Sequence, residues 1–330
     1  MRKHSAVPSA PGRITLSGLT YSIVARDPSS GELGVAVQSH FFGVGPIVSW
    51  AEPGVGAVAT QSIVEPAYGP RGLGLMRDGS SAPAALQQLI ADDGEEAARQ
   101  VAMLDRGGRV AVHTGTRCIA HAGHAVGDQV SVQANMMERD TVPAAMLRAY
   151  TESRGADLAE RMLVALEAAE AEGGDVRGRQ SAAMVVVTAR ATGRPVQDRP
   201  VDLRVDDHTD PLGELRRLLS LCRAYARASA GDDLAAGGDL EGALREYEAA
   251  HRLQPDNHEL AFWHGLALAG NGREDEAVAM LRPVFQAHAG WVELLGRLPA
   301  SGLFPDDAEL IARLTGTRAV SEPAPGPPAR

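Results

Sequence analysis

The last third of the chain repeats itself at a fixed spacing. Gly231 and Gly265, Leu234 and Leu268, Gly238 and Gly272, and Ala243 and Ala277 are each 34 residues apart. That is the length of one helix–turn–helix unit of a stacked array, with glycine and alanine where two antiparallel helices approach closely. Such a stretch is committed to helices packed on helices, because each unit buries its apolar face only against a neighbour. Ala243, Tyr247 and Ala250 share one helical face, and Pro255 ends that helix. The units parse as 224–257 and 258–291, and two rarely fold alone. The all-α domain is therefore predicted to span 211–318, with Asp210 to Tyr225 and residues 291–318 as caps. Residues 319–330, rich in proline, read as a disordered tail. Stacked helix pairs present a groove, so a protein partner is expected for this domain.

Composition narrows what precedes it. Asp and Glu outnumber Lys and Arg by 42 to 32, and nucleic-acid affinity depends on clustered cations, so no nucleic-acid partner is expected. Lys3 is the only lysine, which excludes a Schiff-base, phosphate-loop or general-base lysine from the folded part. Cys118 and Cys222 lie far apart without a Cys-x-x-Cys pair, which fits a reducing compartment. No stretch approaches the roughly 20 apolar residues of a membrane span. Ser5 to Gly18 never becomes the apolar run of a signal peptide. The reading is a soluble, cytoplasmic chain with a flexible leader at 1–19 and room for a homo-oligomer.

Residues 20–210 read as one α+β domain. Thr20 to Arg26 and Leu33 to Gln38 are β-rich around the turn formers Asp27 to Gly31, which predicts a hairpin. Ile47 to Trp50 and Val55 to Gln61 read as further strands, and Tyr68 to Asp92 as two helices broken at Gly79. Arg99 to Leu104 and Arg109 to Thr114 form a second hairpin. Asp157, with Glu160 three residues on, opens a helix that Gly173-Gly174 stops. Ser181 to Ala189 is a valine-rich strand buried on both faces, and Pro200 to Val205 pairs with it. Hairpins between helical layers point to sheets sandwiched between helices rather than to a parallel βαβ fold.

Several constellations can carry chemistry. Thr20 heads the first strand, and a threonine whose α-amino group is free can attack an amide carbonyl with that amine as base. Ser39 and His40 close the second strand; adjacent side chains point to opposite faces, so the pair cannot act as a dyad, though His40 can line a cleft near Thr20. His113, Cys118, His121 and His124 lack a second cysteine, and no metal site is expected. Asp202, Asp206, Asp207 and His208 read as a solvated turn or a water-activating group. The run Gly173 to Ser181, with Asp175, Arg177, Arg179 and Gln180, suits binding of a substrate carboxylate. No Gly-x-Gly-x-x-Gly or phosphate loop occurs, so no cofactor is expected.

Together these segments resemble a known family. Thr20 to Asp27, Gly56 to Gln61, Tyr68 to Gly72, Gly173 to Ala183 and Val201 to His208 are similar, in order, to the family called domain of unknown function 1028. The resemblance implies a four-layer α-β-β-α sandwich of the N-terminal-nucleophile hydrolase kind and a small amide or peptide substrate. It implies Thr20 as nucleophile and places Asn135, in Gln133-Ala134-Asn135, as a donor to the oxyanion. It adds Arg71 to the substrate-binding set of Ser39, His40, Asp175, Arg177, Arg179 and Gln180. The 34-residue period resembles tetratricopeptide repeats, and Trp291 to Asp307 is similar to a C-terminal region of some members that is described as peptidoglycan-binding, which would make the alternative a non-catalytic, cell-wall-related binding protein. Nineteen residues precede Thr20, so a free amine requires self-cleavage at Leu19–Thr20, cleavage by a protease, or a later start.

Overall fold

The computed structural model describes residues 20–316; the leader expected at 1–19 and the tail expected at 319–330 lie outside these residues. Internal contacts divide the chain into two compact units, with the division between Leu219 and Ser220.

The first unit is mixed α+β with two antiparallel sheets. Strands β1 (Thr20–Arg26) and β2 (Leu33–Ser39) form the expected hairpin, with Thr20 opposite Ser39. Next come a helical turn α1 (Gly45–Val48), then β3 (Ser49–Glu52) and β4 (Gly56–Ser62). Helices α2 (Tyr68–Arg77) and α3 (Ala82–Ala91) follow, then β5 (Arg99–Asp105) and β6 (Val110–Thr114). Strands β7 (Gly123–Gly127) and β8 (Val130–Ala134) precede helices α4 (Val142–Glu152) and α5 (Leu158–Ala171). Strands β9 (Ser181–Val187) and β10 (Val201–Val205) complete the set. One sheet has the order β10-β9-β2-β1-β8-β7 and the other β3-β4-β5-β6.

Each strand alternates its burial partners. Tyr21, Ile23 and Ala25 join the core beneath α4 and α5, whereas Val24, between them, joins the core shared by the two sheets. On the second sheet, Ala57 and Ala59 face that shared core, while Val58 packs with Leu73, Leu86 and Leu89 of α2 and α3. The Asp157 carboxylate caps α5 by accepting from the Glu160 N–H at 2.8 Å, as its spacing predicts. The segment expected as a strand at Ile47 to Trp50 instead begins as the turn α1. Pro46 fixes φ there, and burial of Val44 and Val48 in the shared core overrides the β-propensity of the sequence.

The second unit is all-helical. It contains α6 (Pro211–Ala236) from Ser220 on, α7 (Leu240–Leu253), α8 (His258–Gly270), α9 (Glu274–Ala287), α10 (Gly290–Arg297) and α11 (Ala308–Thr315). The repeated glycines have equivalent surroundings. A Cβ on Gly231 would fall 2.9 Å from the Tyr247 ring, and one on Gly265 would fall 2.7 Å from Leu281. Tyr247 and Leu281 are themselves 34 residues apart. Gly238 and Gly272 both take positive φ, 86° and 73°, at the turns between helices.

Candidate functional site

The space between the two sheets is apolar at one end and polar at the other. The apolar end holds Val24, Leu33, Val35, Ala102, Leu104 and Val187. Continuing the same alternation along each strand brings Thr20 and Ser22 of β1 and Ser39 of β2 to the opposite end. Gln61 of β4, Gln100 of β5 and Ser181 of β9 meet them there, with Ser131, Gln133 and Asn135 at and just after β8. All nine are fully buried, and none carries a charge.

Burial of so many amides and hydroxyls is tolerable only when they bond one another. The Thr20 hydroxyl donates to Ser39 Oγ at 3.2 Å. The Thr20 carbonyl accepts from Asn135 N at 3.1 Å, from Gln61 Nε2 at 3.2 Å and from Asn135 Nδ2 at 3.4 Å. Ser22 donates to Gln61 Oε1 and accepts from Gln133 Nε2, both at 2.6 Å. Gln61 Nε2 and Asn135 Nδ2 both donate to Gln100 Oε1, at 2.7 and 2.8 Å. Gln100 Nε2 in turn serves the carbonyls of Gly123 and Ala134 at 3.1 and 3.0 Å, tying the second sheet to the first. One atom in this network has no partner: Asn135 Oδ1.

The backbone is unusual at the same place. Ser62 and Met136, the residues immediately after Gln61 and Asn135, take φ of 71° and 57°. Together with Gln129 they are the non-glycine residues with positive φ among the described residues. Such conformations cost about 1–3 kcal/mol and gather where function demands them.

Loops cover this end. His40 N donates to Asp175 Oδ2 at 3.3 Å, and the Asp175 carboxylate also accepts from Arg177 N, Nε and Nη2 at 2.9, 3.0 and 2.7 Å. Arg179 N–H groups reach Glu170 at 3.1 Å and Asp210 at 3.5 Å. The Tyr21 hydroxyl donates to Glu170 at 2.6 Å; burial, then the Glu170 charge, drives its pKa well above the ordinary phenol value. Gln180 N donates to Ser39 O at 3.1 Å and its side chain to Asp207 at 3.1 Å. Ser39 is fully buried and His40 exposed, the opposite facing expected of neighbours on a strand.

The structure therefore brings Thr20, Asn135, Ser39, His40, Asp175, Arg177, Arg179 and Gln180 to one end of the first sheet. Arg71 is not among them: it is exposed on α2, paired with Asp92 at 3.4 Å, on the outer side of the second sheet. Two expected roles also change. The guanidinium groups of Arg177 and Arg179 are engaged by Asp175, Glu170 and Asp210, so carboxylate recognition by them would first have to break those bonds. Asn135 Nδ2 is committed to Gln100 and Thr20, so what this side chain leaves unpaired is an acceptor, not an oxyanion donor. Sequence reasoning missed Ser22, Gln61, Gln100 and Gln133. Their signal was phase: in Ala57-x-Ala59-x-Gln61 the glutamine occupies a core-facing position.

Among the described residues no group of three or more His, Cys, Asp or Glu could hold a metal ion, and no helix is long and apolar enough to cross a membrane.

The fold and the site thus define a mixed α+β protein with a neutral, hydrogen-bonded polar cluster buried between two antiparallel sheets, followed by a helical region. The chain belongs to the family of unknown function DUF1028, whose model matches residues 20–215 and so begins on Thr20 itself. It is similar to a crystal structure of a protein of that family from Silicibacter pomeroyi, with 31% sequence identity and a TM-score of 0.55, over 61% of this chain and 88% of the other. No curated protein matches the chain.

Proposed function

We propose that the α+β unit is an amide- or peptide-bond hydrolase whose nucleophile is Thr20, with the four-layer α-β-β-α arrangement of N-terminal-nucleophile hydrolases. The observation that carries the reading is the place of Thr20: first residue of a central strand, hydroxyl and carbonyl both fixed by hydrogen bonds within the neutral polar cluster. The layering of helices, sheet, sheet and helices supports it, as do the strained residues after Gln61 and Asn135.

Removal of residues 1–19 frees the Thr20 amine. That amine takes the proton of Oγ1 as the oxygen attacks the carbonyl carbon, then passes it to the departing nitrogen as the C–N bond breaks. Water cleaves the resulting ester and restores Thr20. Because Asn135 Nδ2 is spent on the Thr20 carbonyl, Asn135 acts in positioning, and a main-chain N–H steadies the oxyanion. Thr20 itself is fully buried. Intact mass of protein from its native host tests the reading. A chain that keeps residues 1–19 quantitatively, or amidase activity that survives Thr20→Ala, would end it.

For the helical unit the proposal is a tetratricopeptide-like holder of a protein partner. A groove of about 1100 Å³ between α7, α8 and α9, floored by Leu244, Ala261, Leu268 and Met280, supports it. Met280→Asp in the full chain should abolish partner capture; unchanged capture would leave the unit a structural cap.

A further inference from the structure

The far end of β1 gathers positive charge that the fold leaves unpaired. A surface pocket of about 510 Å³ lies there within the α+β unit, lined by Arg26, Tyr150, Arg154 and Arg161 together with Asp27 and Asp128. Arg26 closes β1, Tyr150 lies on α4, Arg154 follows that helix and Arg161 lies on α5. Thr20 opens the strand that Arg26 closes, so about 20 Å of extended chain separates the pocket from the Thr20 cluster. We infer that this pocket is an anion site that takes a phosphoryl group. Thr20 and its cluster take no part in it.

Arg177, Arg179 and Arg216 each hold a carboxylate, whereas Arg26, Arg154 and Arg161 form no ion pair among the described residues. Arg26 and Arg161 are half-buried, and the Nε of each is enclosed without a hydrogen-bond partner. Their side-chain bonds go to neutral acceptors: Arg26 Nη1 donates to Gln129 Oε1 at 2.5 Å, and Arg161 Nη2 to the Tyr150 carbonyl at 3.4 Å. A half-buried cation without a counter-charge carries a desolvation cost that an incoming anion offsets. Arg161 Cζ sits 3.9 Å from the centroid of the Tyr150 ring, which fixes the guanidinium plane without using its N–H groups. Tyr150 adds a donor of its own. It is only 3% exposed, yet its hydroxyl has no hydrogen-bond partner among the described residues. Burial raises its pKa to about 12, so the hydroxyl keeps its proton.

The two carboxylates do not cancel this charge. Asp27 Oδ1 is spent on its own turn, accepting from Ser29 N, Ser29 Oγ and Ser30 N at 2.7, 2.6 and 3.4 Å. Asp128 is exposed and pairs with no arginine among the described residues. A carboxylate is satisfied by one guanidinium fork. Three forks and a phenol suit the outer oxygens of a phosphoryl group.

Calorimetric titration of the full protein with inorganic phosphate at constant ionic strength tests this, with acetate as the carboxylate arm. Phosphate should bind and raise the thermal unfolding midpoint. Acetate should bind at least about tenfold more weakly. Arg154→Gln and Tyr150→Phe should each weaken phosphate binding by about tenfold or more, as loss of a hydrogen bond to a charged group requires. Neither the Arg154 side chain nor the Tyr150 hydroxyl has a hydrogen-bond or ion-pair partner among the described residues. Both substitutions should therefore leave the unfolding midpoint without phosphate unchanged, which separates lost binding from lost fold. Absence of phosphate binding, acetate binding as tight as phosphate binding, or phosphate binding that either substitution leaves unchanged would overturn the inference.

Discussion

Gln38 and Gln61 are both fully buried, and the same substitution at each should move stability in opposite directions. Gln61 accepts from Ser22 at 2.6 Å and donates to Gln100 at 2.7 Å and to the Thr20 carbonyl at 3.2 Å. Methionine keeps the volume, so Gln61→Met creates little cavity and the cost is polar. The Thr20 carbonyl and Gln100 Oε1 keep donors from Asn135, but the Ser22 proton loses its acceptor. A stranded buried donor costs about 1–3 kcal/mol and the lost bond to Gln100 about 1 kcal/mol more, so Gln61→Met should destabilise by about 2–4 kcal/mol. At Gln38 neither amide atom has a partner. Gln38→Met removes no bond and relieves an uncompensated desolvation, so the change should lie between zero and a gain of about 1–3 kcal/mol. Equilibrium urea unfolding reads both, with hydrogen exchange at β1 and β4 amides assigning the effect to this unit. Losses of similar size at the two positions would refute the claim that the hydrogen bonds, rather than burial of the glutamines as such, decide the balance.

Other perturbations follow from the same geometry. Gly265→Ala forces Leu281, which has no exposure, to move, and should cost the helical unit about 1–3 kcal/mol; Gly270→Ala, with open space around it, should gain about 0.5–1 kcal/mol, both read by thermal unfolding. Burial, then the neighbouring His251, depresses the pKa of His264 to about 4, against about 6.5 when unfolded. The unfolded chain binds that proton first, so stability should fall as pH drops from about 6.5 toward 4 and level off below, and His264→Leu should flatten this loss between pH 7 and 5 in urea midpoints. Asp175→Ala should destabilise by about 2–4 kcal/mol, since it removes an enclosed carboxylate while Arg177 keeps an outlet to water; faster proteolysis within 172–180 is the readout, and an unaltered rate would count against it.

What could be read without coordinates was local. Turn formers around Asp27 to Gly31, the Asp157 cap and the valine run at β9 each specify their own element, because capping bonds and side-chain alternation act over a few residues. Strands β7 and β8 drew no assignment: they are short, and β7 is bounded by Gly123 and Gly127. The existence of β8 rests on pairing with β1, a partner more than a hundred residues earlier, and β7 in turn pairs with β8.

The sequence by itself determined the 34-residue helical period, the absence of any lysine after Lys3 and the position of Thr20 at the head of a strand. It also set the alternation that turns Gln61, Gln100 and Gln133 inward. Tertiary structure alone decided that these inward positions, drawn from two sheets, meet in one hydrogen-bonded cluster. It alone decided that Asn135 spends its donor rather than offering it, that Arg177 and Arg179 already hold carboxylates, and that Arg71 lies elsewhere. Side-chain direction follows from the backbone of a single strand, whereas the partner a polar atom finds depends on which strands the folded chain sets face to face.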